Sequence, residues 1–262
     1  MKSALKGAFV IAQTTLIEAL RNKILLVSLA FAVLLLLVSI AGASSSVGEQ
    51  ERIIIDIGLA SASGLGSLVA ILLLITSFAA EIKNRTAYTL LARPVPRWAF
   101  VLGKYFGVYW AMLIVVTLMF VATATALNLY DVKGVPDGFW AALWLCGVEM
   151  SIVSAIAVLF SAMASPVLAG IYSVGLVVGG NFAADLLALS QRLGEKEEFA
   201  SAFFKVVYWA LPDIERLSLR TQITNYLDIP NNYIELGTTY GFAYSAFLLT
   251  FAMYIFSRRR AI

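Results

Sequence analysis

The sequence predicts an all-α protein that crosses a lipid bilayer six times. Three observations lead there. Of the 262 residues, 61% are hydrophobic and only 13% are charged, whereas a soluble domain is roughly half apolar and a quarter charged. So few charges cannot cover a water-facing surface, and lipid must cover much of it. Apolar runs of the length needed to cross a hydrocarbon core, about 20 residues, recur at 24–43, 58–80, 104–128, 139–164, 167–190 and 239–257. Lys and Arg also segregate. With the N-terminus inside, one side of the membrane carries twelve basic residues and two acids, and the other carries seven basic residues and twelve acids. By the positive-inside bias both termini are cytoplasmic.

Before the first run, Leu5, Phe9, Ala12, Leu16 and Leu20 recur at helical spacing, while Lys6, Gln13, Glu18 and Arg21 lie largely off that stripe. This predicts an amphipathic interfacial helix over 3–21, lying on the cytoplasmic membrane face; a short extension of the first span is the alternative. The run 24–43 is longer than a signal-peptide core and follows some 23 residues that are no short basic leader, so it reads as a retained span. The fourth and fifth runs are separated only by Ser165-Pro166, which marks a tight helical hairpin. Between the fifth and sixth, residues 191–238 hold Phe199, Phe203, Phe204, Tyr208, Trp209 and Leu211, then Pro212, then a second amphipathic stretch. Two or three short helices packed on the outer ends of the spans are expected there. No internal repeat is visible, and 1–262 reads as a single membrane domain.

Much chemistry is absent from the sequence. There is no histidine, and Cys146 is the only cysteine, so imidazole-based triads, zinc ligation and intrachain disulfides are excluded. A net charge of +3 gives no footprint for nucleic acid. No G-x-x-x-x-G-K-[ST] loop or G-x-S-x-G elbow occurs. Asp137-Gly138-Phe139-Trp140-Ala141 begins like a CDP-alcohol phosphotransferase signature, but Ala142 stands where its arginine belongs. Asn84-Arg85-Thr86 is a glycosylation sequon in form only, because the charge bias places it inside. No metal site is expected.

Glu149 lies ten residues into the fourth run, about 15 Å along a helix and near the bilayer middle. A charge there is costly, so the carboxyl is protonated or paired and faces the bundle. It either lines a substrate path or takes part in proton coupling, or it makes an interhelical hydrogen bond to a Ser, Thr, Tyr or Asn181. Asp185, near the outer end of the fifth run, reads as a solvated helix-end group. Gly58, Ala62, Gly66 and Ala70 form a small-residue stripe in the second run, and Gly175 and Gly179 form G-x-x-x-G in the fifth. Such stripes let backbones approach closely, within one subunit or between two.

The loop 81–104 is the most informative segment. Glu81 to Leu91 can form about three helical turns, and Pro94 and Pro96 end them and fix an extended elbow. Arg97 and Lys104 then anchor the third span at headgroup level. Glu81, Thr86, Leu90, Leu91, Arg93, Pro94, Arg97, Gly103 and Lys104 resemble the cytoplasmic loop of ABC-2 type transporter permeases. Arg85 departs from the pattern, which has glycine there. The layout of spans, interfacial helix, hairpin and outer segment is similar too. Leu211-Pro212-Asp213 resembles an element of the subgroup containing the membrane subunit of the nitrous-oxide-reductase maturation transporter.

The resemblance implies a non-catalytic exporter subunit in a bacterial or archaeal cytoplasmic membrane. It would dimerise with a second copy or a homologous permease, in contact with membrane lipid. Two copies of a separate ATPase would bind ATP and Mg, so this chain carries no cofactor, and each ATPase would receive 81–91 as a coupling helix. An alternative is that the dimer moves an extracytoplasmic partner protein mechanically and transports nothing.

Overall fold

The computed structural model describes residues 2–43, 50–83, 96–129, 134–193, 198–230 and 232–258. The helices are α1 (Lys2–Leu20), α2 (Lys23–Ala43), α3 (Gln50–Lys83), α4 (Arg97–Leu129), α5 (Phe139–Met163), α6 (Pro166–Asn181), α7 (Ala183–Leu193), α8 (Glu198–Ala210), a 3-10 turn at Glu215–Leu217, α9 (Arg220–Thr224) and α10 (Tyr233–Arg258). No strand occurs among the described residues. Helices α2, α3, α4, α5 and α10 are each long and apolar enough to cross a membrane.

The fifth run is not one straight span. It is broken into α6 and α7, which meet at 60°. At 16 residues, α6 is about 24 Å long, short of a full hydrocarbon core. The chain after α8 causes the break. A Cβ on Gly180 would sit 2.5 Å from the Pro212 carbonyl oxygen, and the Ile214 N–H donates to the Gly180 carbonyl at 3.3 Å. The Phe182 N–H closes the end on Gly179 O at 3.1 Å. The hairpin before α6 is as expected. Ala164 and Ser165 are extended and Pro166 begins the helix, where its missing N–H costs nothing.

Helix α5 is the axis of the bundle and is buried along almost its whole length. It packs against α3, α4, α6 and α10, while α2 leans on α3 and stays largely exposed. Helix α10 approaches α5 at Gly237 and Gly241, where an added Cβ would strike Leu145 and Val148. Helices α3 and α4, with 34 and 33 residues, are each about 50 Å long and overhang any bilayer. The overhang of α3 is gripped by the short helices between α8 and α10.

Helix α1 packs along the start of α4. Its buried face is Ile11, Thr15 and Ala19, on a different side from the larger-residue stripe. Leu5, Phe9 and Leu20 of that stripe are exposed, free to meet lipid. Small residues set the contact instead: Cβ atoms on Gly103 and Gly107 would lie 2.7 Å from Ile11 Cβ and 2.5 Å from Thr15 Cβ. Only glycine lets the two backbones come this close.

Candidate functional site

Two regions at opposite ends of the bundle hold its polar chemistry. At the loop end, α3 finishes and α4 begins. Lys104 is 1% exposed; its Nζ donates to Ser77 Oγ at 2.7 Å and lies 3.6 Å from Glu18 Oε2. It therefore does not reach out as a headgroup anchor. Its ammonium joins α4, α3 and α1, and burial requires such partners. Arg97 donates to the Ser257 carbonyl at 3.1 Å, satisfying a backbone acceptor in the last turn of α10, where a cation also suits the helix dipole. Phe100 stacks on Phe256 and meets Phe78 edge-on, both at 5.7 Å. Such pairs each add about 0.5–1.5 kcal/mol beyond burial. Both helices that bracket the loop are thus tied to each other and to α10.

Glu81 lies in the last turn of α3. Arg85, Thr86, Leu90, Leu91, Arg93 and Pro94 lie outside the described residues. Gly103 is where α1 crosses, which gives that motif position a physical reason.

In mid-bundle, Glu149 is 2% exposed. Ser63 and Ser67 of α3 donate to its Oε1 at 2.7 and 3.2 Å. Their four-residue spacing puts both hydroxyls on one helix face. The carboxyl lines a cavity of about 380 Å³ between α3 and α6, with Leu59, Leu68, Ile71, Val174 and Val177 among its walls. Asn181, Ser218 and Arg220 close one end of this cavity. The same three residues line a larger cavity of about 790 Å³ at the far end. These three residues thus stand between the cavity at Glu149 and the far-end cavity.

The far end is wetter and more charged. Arg220 holds Asp56 of α3 through two hydrogen bonds of 2.6 and 2.7 Å, the fork geometry that suits guanidinium and carboxylate. The Asp56 bond keeps the Arg220 guanidinium above its usual pKa. Arg52 donates to Asn225 Oδ1 at 2.7 Å. Within Leu211-Pro212-Asp213, the Asp213 N–H donates to Tyr240 OH at 2.8 Å and its carboxylate pairs with Arg216 at 2.5 Å. Glu215 is held above the usual carboxylate range by burial and then by Asp185 and Asp213. Asp185 is exposed in the first turn of α7.

The glycine stripes divide. Gly58 faces Thr123 at 2.5 Å and Gly66 faces Met150 Sδ at 3.3 Å, so α3 packs inside the chain. Gly179 faces Leu211 at 3.1 Å, but nothing lies within 4 Å of a Cβ on Gly175. Gly175 thus packs against none of the described residues. Ser63, Ser67, Asp56 and Arg220 were missed by the sequence reading, although the Ser63–Ser67 spacing was a usable signal.

Among the described residues, five helices of membrane-crossing length and one bent helix pair make a polytopic all-α membrane protein. The family model described as ABC-2 family transporter protein matches residues 9–256, and the chain belongs to that family, as the membrane permease component of an ABC transporter. A search of curated proteins finds no match.

Proposed function

We propose that this chain is the membrane subunit of an ATP-driven exporter that works as a dimer. Two separate ATPase subunits dock at loop 81–104, which transmits their closure to the bundle. The observation that carries this is the binding of α3, α4, α1 and α10 into one unit beside the loop, through Lys104, Arg97 and the Phe78–Phe100–Phe256 cluster. A push on the loop would move those helices together. The charge bias supports a loop end in the cytoplasm, with both termini, in a prokaryotic cytoplasmic membrane. Glu81, Arg85, Thr86, Leu90, Leu91, Arg93 and Pro94 would meet the ATPase. Leu211-Pro212-Asp213 supports placement beside the nitrous-oxide-reductase maturation subgroup.

Purification from native membranes tests this. A nucleotide-binding subunit is expected to accompany the chain, and Glu81→Arg or Arg93→Glu should cut ATP hydrolysis of the complex. An unchanged rate with both variants would sink the coupling role.

One observation favours mechanical transmission to an extracytoplasmic partner instead. Phe199, Phe203, Val206 and Trp209 are all exposed along α8, a face that a partner could grip. Vesicle transport assays beside a pull-down with the 191–238 segment intact in the full chain separate the two readings.

A further inference from the structure

We infer that the cavity between α3 and α6 binds an amphiphile with a protonated amine, held at Glu149. This deepens the exporter reading by naming its substrate class, and it rests on that reading for its role in export. Both serine hydrogen bonds fall on Oε1 of Glu149, and none of the described residues donates to Oε2. Glu149 lines the cavity, so its second oxygen is open to a donor carried by a ligand there. An N–H donor completes the ionised form, and a cation also supplies the opposite charge that a carboxylate needs inside a membrane.

The charge balance of the lining points the same way. Arg220 is the one basic residue on the cavity wall, and Asp56 neutralises it through both carboxylate oxygens. Glu149 remains as the uncompensated acid. A ligand carrying one positive charge fits that balance, whereas an anion would meet only repulsion at the floor.

The rest of the wall requires an apolar body. Leu59, Leu68, Ile71, Val174, Val177 and Val178 surround the polar floor. At about 380 Å³ the space falls within the size range of small-molecule sites, 300–1,000 Å³. The cavity is open on this side: Gly64 and Leu68 on the wall are exposed, and no described residue lies within 4 Å of a Cβ on Gly64. A molecule dissolved in the bilayer can enter between α3 and α6 beside Gly64, with its ammonium meeting Glu149. Asn181, Ser218 and Arg220 line both this cavity and the far-end one.

The test uses the full chain in phosphatidylcholine nanodiscs and a dodecylamine carrying a diazirine at its chain end. After irradiation, labelled peptides are mapped by mass spectrometry, with unlabelled dodecylamine, dodecanol or dodecanoate as competitors. Saturable labelling is expected in α3 or α6, displaced by dodecylamine and poorly by the alcohol or the acid. Glu149→Gln should weaken the apparent affinity at least about ten-fold, the loss expected when a hydrogen bond to a charged group goes. Gly64→Phe, which fills the entrance and leaves the carboxyl intact, should abolish labelling. If Glu149→Gln does not fold, Gly64→Phe decides alone.

Equal labelling of wild type and Gly64→Phe, or equal competition by dodecanol, overturns the proposal. No ATPase is needed for this measurement, so the two readings fail separately. Saturable amine binding that never alters ATP hydrolysis of the assembled complex leaves the site standing and removes the exporter. Intact coupling without saturable labelling removes only the site.

Discussion

The two ends of the bundle are built in opposite ways. At the loop end, α1 lies on α4 at glycine distance, a lysine is buried among hydroxyl and carboxyl partners, and three phenylalanines lock α3, α4 and α10. At the far end, short helices enclose a cavity of about 790 Å³, and its ion pairs are half exposed. A close-packed, interlocked end transmits displacement, because packed interfaces do not deform continuously. A wet end held by exposed ion pairs opens at small cost. The difference teaches which end receives force and which end yields.

Breaking the close-packed end should cost most. Gly107→Leu would drive a side chain into Thr15 and the Ala12 carbonyl and is expected to destabilise the protein by about 1–3 kcal/mol. Thermal unfolding in detergent measures it, and proteolytic release of α1 would locate it. Lys104→Met is next. It keeps the stem volume but leaves Ser77 and Glu18 without their shared donor, a loss of about 1–3 kcal/mol. Ser77→Ala in that background should add little, since the pair acts as a unit. A fully additive double variant would contradict the buried link.

Breaking the wet end should cost less. Asp56→Ala removes the partner of a half-exposed arginine and is expected to cost about 1 kcal/mol or less. Raised salt should shrink that difference further. Glu215→Gln should slightly raise the unfolding midpoint near neutral pH. The folded state holds the Glu215 carboxyl above its ordinary pKa, so its charged form opposes folding. That penalty is present above the folded pKa and disappears as pH falls through the carboxylate range. The advantage of the glutamine should therefore vanish in acid. An advantage that grows as pH falls would contradict the assigned shift.

The spans were legible because membrane length and apolar composition leave few alternatives. Pro166 was legible because proline at the first helical position punctuates two helices. The bend after Asn181 was not, since hydropathy runs on through 167–190. Its cause, Pro212 pressed on Gly180, lies 32 positions away. Gly179-Gly180-Asn181 was the local sign, a helix-ending cluster. The large-residue stripe of α1 was legible as a lipid-facing side, but its protein-facing side was not, because Ile11 and Thr15 are matched to glycines of α4 some ninety positions away. Lys104 read as an anchor because a lysine at the edge of an apolar run marks a boundary. Its partners, Ser77 and Glu18, are 27 and 86 positions away. That Glu149 faces into the bundle followed from the cost of a bare charge in a membrane, whereas its partners Ser63 and Ser67, 86 and 82 positions away, did not.

The account depends most on the loop end being the one that meets an ATPase. A photo-cross-linking amino acid placed at Thr89, and separately at Tyr226, in cells that make the whole complex tests this directly. Cross-links from position 89 to a nucleotide-binding subunit, and none from position 226, are the predicted result. Cross-links to that subunit from position 226, with none from position 89, would contradict it.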